Sequence, residues 1–361
     1  MDNTFITPLI TPRKLKQELP ATIPQKQFIE QTRNQIRQIL NGTDSRQLLI
    51  LGPCSIHDVA AAKHYATLLK ELIGEIESEF FVIMRAYFEK PRTSLGWKGL
   101  VYDPHLDGSN DINTGLRWTR KLLLELAQLH IPAATEILDP LVYGYFGDLV
   151  SWGCIGARTA SSQIHRQIAS GLNLPVAFKN NTDGNIEVAI NGALTASEPH
   201  AYIGINEEGL VSSFSTEGNP DCHIVLRGGE YKTNYDADSV SRAIAMLEKA
   251  HLPLRLIIDC SHDNSKRNHG KQVEVFEDVI SQVVSGNQCI RGTILESNLD
   301  AGHQIFEANH APLRYGVSIT DPCLDWPSTA AMVRKAYQIL KDTKNEESKA
   351  HYNSSQVVFS A

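Results

Sequence analysis

Residues 254–262 read LRLIIDCSH, an apolar run of strand length that ends on histidine, and the reading of this stretch decides the fold. A continuous apolar run bounded by polar residues says only that both faces of a strand are covered. Seven more runs of the same kind occur: LLILGPC (48–54), FFVIMR (80–85), IPAATE (131–136), CIGAR (154–158), VAFK (176–179), IVLR (224–227) and GTILE (292–296). Each of the eight ends on a residue able to bind a metal or an anion, in chain order Cys54, Arg85, Glu136, Arg158, Lys179, Arg227, His262 and Glu296. Most are followed by a segment of helical periodicity, so the pattern predicts an α/β fold, a (β/α)8 TIM barrel of parallel strands. In such barrels the carboxyl ends of the strands form the reaction mouth, and chemically loaded residues there point to an enzyme.

At 361 residues the chain exceeds the roughly 250 of a bare barrel by about a hundred, so extensions and insertions hold the surplus. Residues 1–47 are read as an N-terminal extension with a helix over Gln25–Leu40, and 48–340 as the catalytic barrel. Asp58 is expected to cap a helix running to Ile76, with further helices near 114–129, 237–250 and 272–285. AYIGI and LVSSFST flank the turn-like Asn206-Glu207-Glu208-Gly209, which predicts an inserted β-hairpin within about 185–225. The polar stretch 341–361 reads as a mobile tail. No apolar stretch approaches the roughly 18 residues of a membrane span and no signal pattern opens the chain, so a cytoplasmic protein is expected. A net charge of −7 without a basic stripe argues against nucleic acid as a partner. Six cysteines without C-x-x-C spacing suit single ligand or core roles, and Cys260 is assigned to the core.

Cys54, His262, Glu296 and Asp321 offer a thiolate, an imidazole and two carboxylates, which suits a divalent metal. The carboxylates favour Mn²⁺ or Fe²⁺, while sulfur and nitrogen admit Co²⁺ or Zn²⁺. Arg85, Arg158, Lys179 and Arg227 should converge at the mouth, and Lys90, Arg92 and Lys98 join them from the long connection YFEKPRTSLGWKGLVYDPHLDGSND after the second run. Cations that repel one another need an anion to justify their placement, and this many fit two phosphorylated substrates. Glu136 is the one strand-end acid among them, placed to orient Lys or Arg side chains.

The motifs GPCSIHD (52–58), MRAYFEKPRTSLGWKGL (84–100), IGARTASSQ (155–163), FKNNTDG (178–184), LRGG (226–229), DCSHDNS (259–265) and SITDPC (318–323) resemble those of the type I 3-deoxy-D-arabino-heptulosonate 7-phosphate (DAHP) synthases. The resemblance covers roughly residues 10–340. It implies a metal-dependent condensation of phosphoenolpyruvate with erythrose 4-phosphate at the start of the shikimate pathway. It places the metal on Cys54, His262, Glu296 and Asp321, and phosphoenolpyruvate on Arg85, Lys90, Lys98, Glu136, Arg158, Lys179 and Arg227. Lys90-Pro91-Arg92-Thr93 would receive erythrose 4-phosphate, with Lys90 the candidate general acid beside the ligands Cys54 and His262. Ala160, Ser161 and Asn181 depart from the family pattern near the site.

The resemblance also implies feedback inhibition by an aromatic amino acid at the extension and hairpin, through Asp139, Tyr202 and Gly204, in a homodimer or homotetramer. Glycine at 204 leaves room for a phenolic hydroxyl, which favours tyrosine. Two other readings are a barrel without catalysis that binds aromatic amino acids and regulates a partner, and 3-deoxy-octulosonate 8-phosphate synthase. All four metal ligands are intact, which speaks against the first; KPRTS, the extension and the hairpin speak against the second.

Overall fold

The computed structural model describes residues 6–306 and 312–358, so positions 1–5 of the expected extension and 359–361 of the expected tail lie outside the described residues. The strands in chain order are β1 (Gln47–Gly52), β2 (Phe80–Arg85), β3 (Ala133–Glu136), β4 (Trp152–Ile155), β5 (Val176–Lys179), β6 (Ala201–Ile205), β7 (Val211–Ser215), β8 (His223–Leu226), β9 (Leu256–Asp259) and β10 (Ile290–Glu296). Eight of them close a parallel barrel in the order β1-β10-β9-β8-β5-β4-β3-β2. β6 and β7 stand apart as an antiparallel hairpin with Tyr202 opposite Phe214 and Gly204 opposite Ser212.

Alternation along each strand sorts the core into two layers. Leu48, Ile50, Phe81, Ile83, Trp152, Val225, Ile257 and Ile294 share one buried cluster inside the barrel. Leu49, Leu51, Val82, Met84, Ile224 and Ile258 face outward into a second cluster with the helices, where Cys260 is also buried. Helix α1 (Pro12–Glu18) precedes α2 (Ile23–Asn41), which closes the end of the barrel opposite the charged strand ends. Ile36, Ile39 and Leu40 of α2 belong to the interior cluster, and Asn41 Oδ1 accepts from Arg255 just ahead of β9. α2 starts at a capping box between Thr22 and Gln25 and stops at Gly42 in the left-handed region, φ 77°.

The helices that follow the strands are α3 (Val59–Ile76), α4 (Ile112–Gln128), the short α5 (Tyr143–Phe146), α6 (Gln163–Ser170), α7 (Glu187–Ala196), α8 (Ala237–Lys249) and α9 (Gln272–Val284). Asp58 caps α3 through the amides of Ala60 and Ala61, as its position in the sequence predicts. The C-terminal stretch differs from expectation: residues from 341 continue α10 (Trp326–Val358) instead of leaving it. The segment lacks Gly and Pro, and its first half is rich in Lys and Glu, both good helix formers. Lys344 reaches back to Glu79 at 2.6 Å. Among the described residues, no helix is long and apolar enough to cross a membrane.

Candidate active site

Parallel strands in a closed barrel deliver their last residues to one end, so groups far apart in sequence meet there. A cavity of about 200 Å³ at that end is lined by residues including Arg85, Lys90, Pro91, Arg92, Thr93, Glu136, Arg158, Lys179, Arg227, His262 and Asp321. Lys98 is not among its lining residues; it is exposed, and its carbonyl accepts from the Lys90 amide at 2.8 Å. Ala160, Ser161 and Asn181 do not line it either. Cys54 and Glu296 lie beneath it, fully or almost fully buried. Cys54, Arg158 and His262 fall just past the ends of their strands, on the loops.

Arg85 lies at the bottom with no exposure, its Nη2 donating to Glu296 Oε1 at 2.9 Å and its guanidinium 4.1 Å from the Tyr87 ring centroid. Its Nε and Nη1 are buried without a partner. Unmet buried donors cost on the order of 1–3 kcal/mol each, so the arginine is set to receive an acceptor from the cavity. Burial opposes its charge, but Tyr87, Glu296, Cys54 and Asp259 outweigh that and raise its pKa.

Asp259, the last residue of β9, ties two site residues together. Its Oδ2 lies 2.7 Å from Lys179 Nζ and 2.9 Å from His262 Nδ1, and its Oδ1 accepts from Ser261 N and Oγ at 3.0 and 2.6 Å. Burial pushes this carboxyl up, yet His262 and Lys179 more than offset it and hold it well below the usual carboxylate range. With Nδ1 engaged, His262 presents Nε2 to Glu296 Oε1 at 3.9 Å, the orientation a metal-binding imidazole needs. Gln272 fixes the Glu296 backbone from both sides, at 2.9 and 3.0 Å.

Ligand atoms of Cys54, Glu296 and Asp321 lie within 4.8 Å of one another. Burial pushes the Cys54 thiol up to about 12, and Glu296 and Asp321 add to the rise. Acidic groups crowded this closely repel until a cation joins them, so the three fit a divalent ion; His262 is not in this group, and its Nε2 stands beside it, 3.9 Å from Glu296 Oε1. Lys90 Nζ supplies positive charge from one side, 3.1 Å from Cys54 Sγ. Burial works against the charge on Lys90, but Cys54, Asp321, Glu296 and Glu136 outweigh it and raise its pKa. At the rim, Arg158 Nε donates to Thr93 Oγ1 at 3.0 Å and Arg92 Nε to the Trp97 carbonyl at 2.9 Å. A Cβ at Gly156 would collide with Glu136 Oε1, so any larger residue there would displace that carboxylate.

Sequence reasoning missed Asp259, Gln272, Asp263 and Arg267. A signal for the first existed: Asp259 shares the inward parity of Ile257 and so faces the same interior as the strand-end cations. Gln272 opens the following helix, and nothing in the spacing marks it.

A second cavity, about 490 Å³, lies between the extension and the hairpin, lined by Pro12 and Lys16 of α1, Tyr143 and Gly144 of α5, and Tyr202, Gly204 and Phe214 of the hairpin, among others. The Tyr202 and Phe214 rings stack at 5.2 Å and 8°. Gly204 sits two residues further along in regular pairing with Ser212, and a Cβ there would stand 3.0 Å from the Phe214 ring. Asp139 does not line this cavity, although the next residues, Pro140 and Leu141, do. Its Oδ2 lies 2.9 Å from Tyr102 Oη, and its amide donates to Glu89 Oε1 at 3.3 Å.

Known proteins match most of the chain. The model of the DAHP synthetase I family matches residues 19–334. The Tyr-sensitive phospho-2-dehydro-3-deoxyheptonate aldolase of Escherichia coli K12 is 46% identical over 94% of this chain and 96% of its own. The Phe-sensitive enzyme of the same strain is 47% identical over 93% and 95%. The solved structure of the aldolase from Francisella tularensis SCHU S4 superposes with a TM-score of 0.91 at 41% identity, covering 94% of this chain and 99% of that one.

Proposed function

Since the chain belongs to the DAHP synthetase I family and carries 3-deoxy-7-phosphoheptulonate synthase activity in aromatic amino acid biosynthesis, we propose that the barrel mouth performs this condensation with the residues described above. The buried cations Arg85, Lys179 and Arg227 take the phosphate and carboxylate of phosphoenolpyruvate, and the unmet Nε and Nη1 of Arg85 are the observation that carries this assignment. Arg92 and Thr93 at the exposed rim take the phosphate of erythrose 4-phosphate, while Arg158, joined to Thr93 by a hydrogen bond, belongs to the phosphoenolpyruvate set. So held, C3 of phosphoenolpyruvate faces the aldehyde carbon, an orientation effect. Lys90, kept protonated by its acidic neighbours, gives its proton to the aldehyde oxygen as the C–C bond forms. Water adds at C2, and phosphate leaves by C–O cleavage. A divalent ion on Cys54, His262, Glu296 and Asp321, with Mn²⁺ or Fe²⁺ favoured by the two carboxylates, supplies Lewis-acid polarisation of the aldehyde.

The second cavity is the place for an aromatic amino acid effector, with the Tyr202–Phe214 stack available to a ring and the Lys16–Glu207 ion pair, at 2.6 Å, in its wall. Tyrosine is the favoured effector because Gly204, which lines the cavity, adds no side-chain bulk beside the two rings. The outer face of the hairpin exposes Ile203 (80%) and Val211 (73%), which supports pairing with a second copy in a homodimer or homotetramer. Residues 1–47 would then serve regulation and dimerisation, and six unpaired cysteines suit the cytoplasm.

The test is phosphate release from phosphoenolpyruvate with erythrose 4-phosphate and, in parallel, arabinose 5-phosphate. Turnover with the four-carbon sugar alone is expected. Turnover only with the pentose phosphate would move the reading to the eight-carbon synthase, and turnover with neither to a regulatory barrel.

A further inference from the structure

Arg267 reaches the mouth from the loop between β9 and α9, where no strand end placed a cation. The loop is costly to build: His262, Lys266 and Arg267 all adopt left-handed backbone, with φ of 52°, 53° and 56°. Non-glycine residues hold that conformation only where their surroundings insist on it, and such strain gathers at functional sites. The Arg267 amide closes on the His262 carbonyl at 2.7 Å, and the amides of Asp263 and Asn264 both dock on the Arg227 carbonyl at 3.2 Å.

Asp263 then bridges two guanidiniums. Its Oδ2 lies 2.6 Å from Arg227 Nη1 and its Oδ1 3.2 Å from Arg267 Nε. The Arg227 side chain is 4% exposed and that of Arg267 57% exposed, so the carboxylate links an inner cation to an outer one. Arg267 lines both the mouth and a neighbouring cleft of about 680 Å³, which puts it on the threshold between them. We propose that Arg267, positioned by Asp263, is a further substrate-binding residue that takes the phosphate of the second substrate, erythrose 4-phosphate. The inner cations are buried and suit the substrate that binds first, whereas Arg267 shares the exposed rim with Arg92 and Arg158. A tetrose phosphate entering over bound phosphoenolpyruvate meets this rim with its dianion, where a guanidinium gives paired, charge-assisted hydrogen bonds.

This inference rests on the two-substrate reading above, and steady-state kinetics with each substrate varied in turn separates the two. Arg267→Gln is expected to raise KM for erythrose 4-phosphate by about fivefold or more, with kcat and KM for phosphoenolpyruvate held within about twofold. Arg267→Lys should recover much of the loss. Asp263→Asn should raise the same KM, and through Arg227 the KM for phosphoenolpyruvate as well, while its effect on erythrose 4-phosphate adds little in the Arg267→Gln background, as expected of a positioning residue. In Arg267→Gln, an unmoved KM for erythrose 4-phosphate, or an equal rise for both substrates, overturns the proposal while leaving the activity intact. A wild-type chain with no turnover of erythrose 4-phosphate would instead sink the functional reading, and this inference with it.

Discussion

Glu89 precedes Lys90 by one residue and is 3% exposed, with Oε1 3.1 Å from Tyr102 Oη. Burial, then the neighbouring Asp139 and more weakly Glu136, push it up from 4.5 to about 8. An acid whose folded pKa is raised keeps its proton while the unfolded chain loses one, so stability falls as pH rises from about 4.5 to about 8. The loss is on the order of a few kcal/mol. Glu89→Gln keeps the shape and removes the charge, so thermal unfolding from pH 5 to 8 should show a flatter pH dependence in the variant. An unchanged slope would mean that Glu89 is ionised in the fold. At this scale the sequence was legible where a residue ends an apolar run, as with Arg85 and Glu136. It was silent on pairing: that Glu296 meets Arg85, or that Asp259 meets both Lys179 and His262, depends on which side chains share the barrel's inner face.

The hairpin of β6 and β7 was legible as an element because two short alternating runs flank a polar turn ending in Gly209, whose φ is 80°. Its role depends on one position. Gly204 has an ordinary backbone and regular pairing with Ser212, so what it contributes is space, not conformational freedom. Gly204→Ser would press Cβ and Oγ against Phe214 and Tyr202, and inhibition by tyrosine should weaken several-fold relative to phenylalanine. Inhibition constants for both amino acids decide this, and an unchanged ratio would remove Gly204 from effector choice. The last helix shows the opposite case. Its polar continuation from 341 lacks the apolar stripe that marks a packed helix, yet propensity and the reach of Lys344 to Glu79 extend it. Cys54, Arg158 and His262 lie beyond their strands for a related reason: apolar periodicity marks where a strand runs, and the loop after it sets where the functional atom sits.

The whole molecule carries a net charge of −7 and gathers its catalytic cations at one end of the barrel. Closure of the barrel makes this possible, since it places β1 beside both β2 and β10 and so brings Cys54, Arg85 and Glu296 within reach of one another. The eightfold repetition of the sequence pattern made that closure readable, because each run alone was ambiguous and only the series identified a barrel. The central claim is that the cluster of Cys54, His262, Glu296 and Asp321 serves the condensation by holding a divalent ion. Its most direct test is phosphate release from phosphoenolpyruvate and erythrose 4-phosphate by wild type and Cys54→Ala, each stripped with EDTA and resupplied with Mn²⁺. Restored turnover in the wild type, with Cys54→Ala at least about a hundredfold slower while still folded, is the expected result. Full activity of Cys54→Ala, or of the stripped wild type, would contradict it.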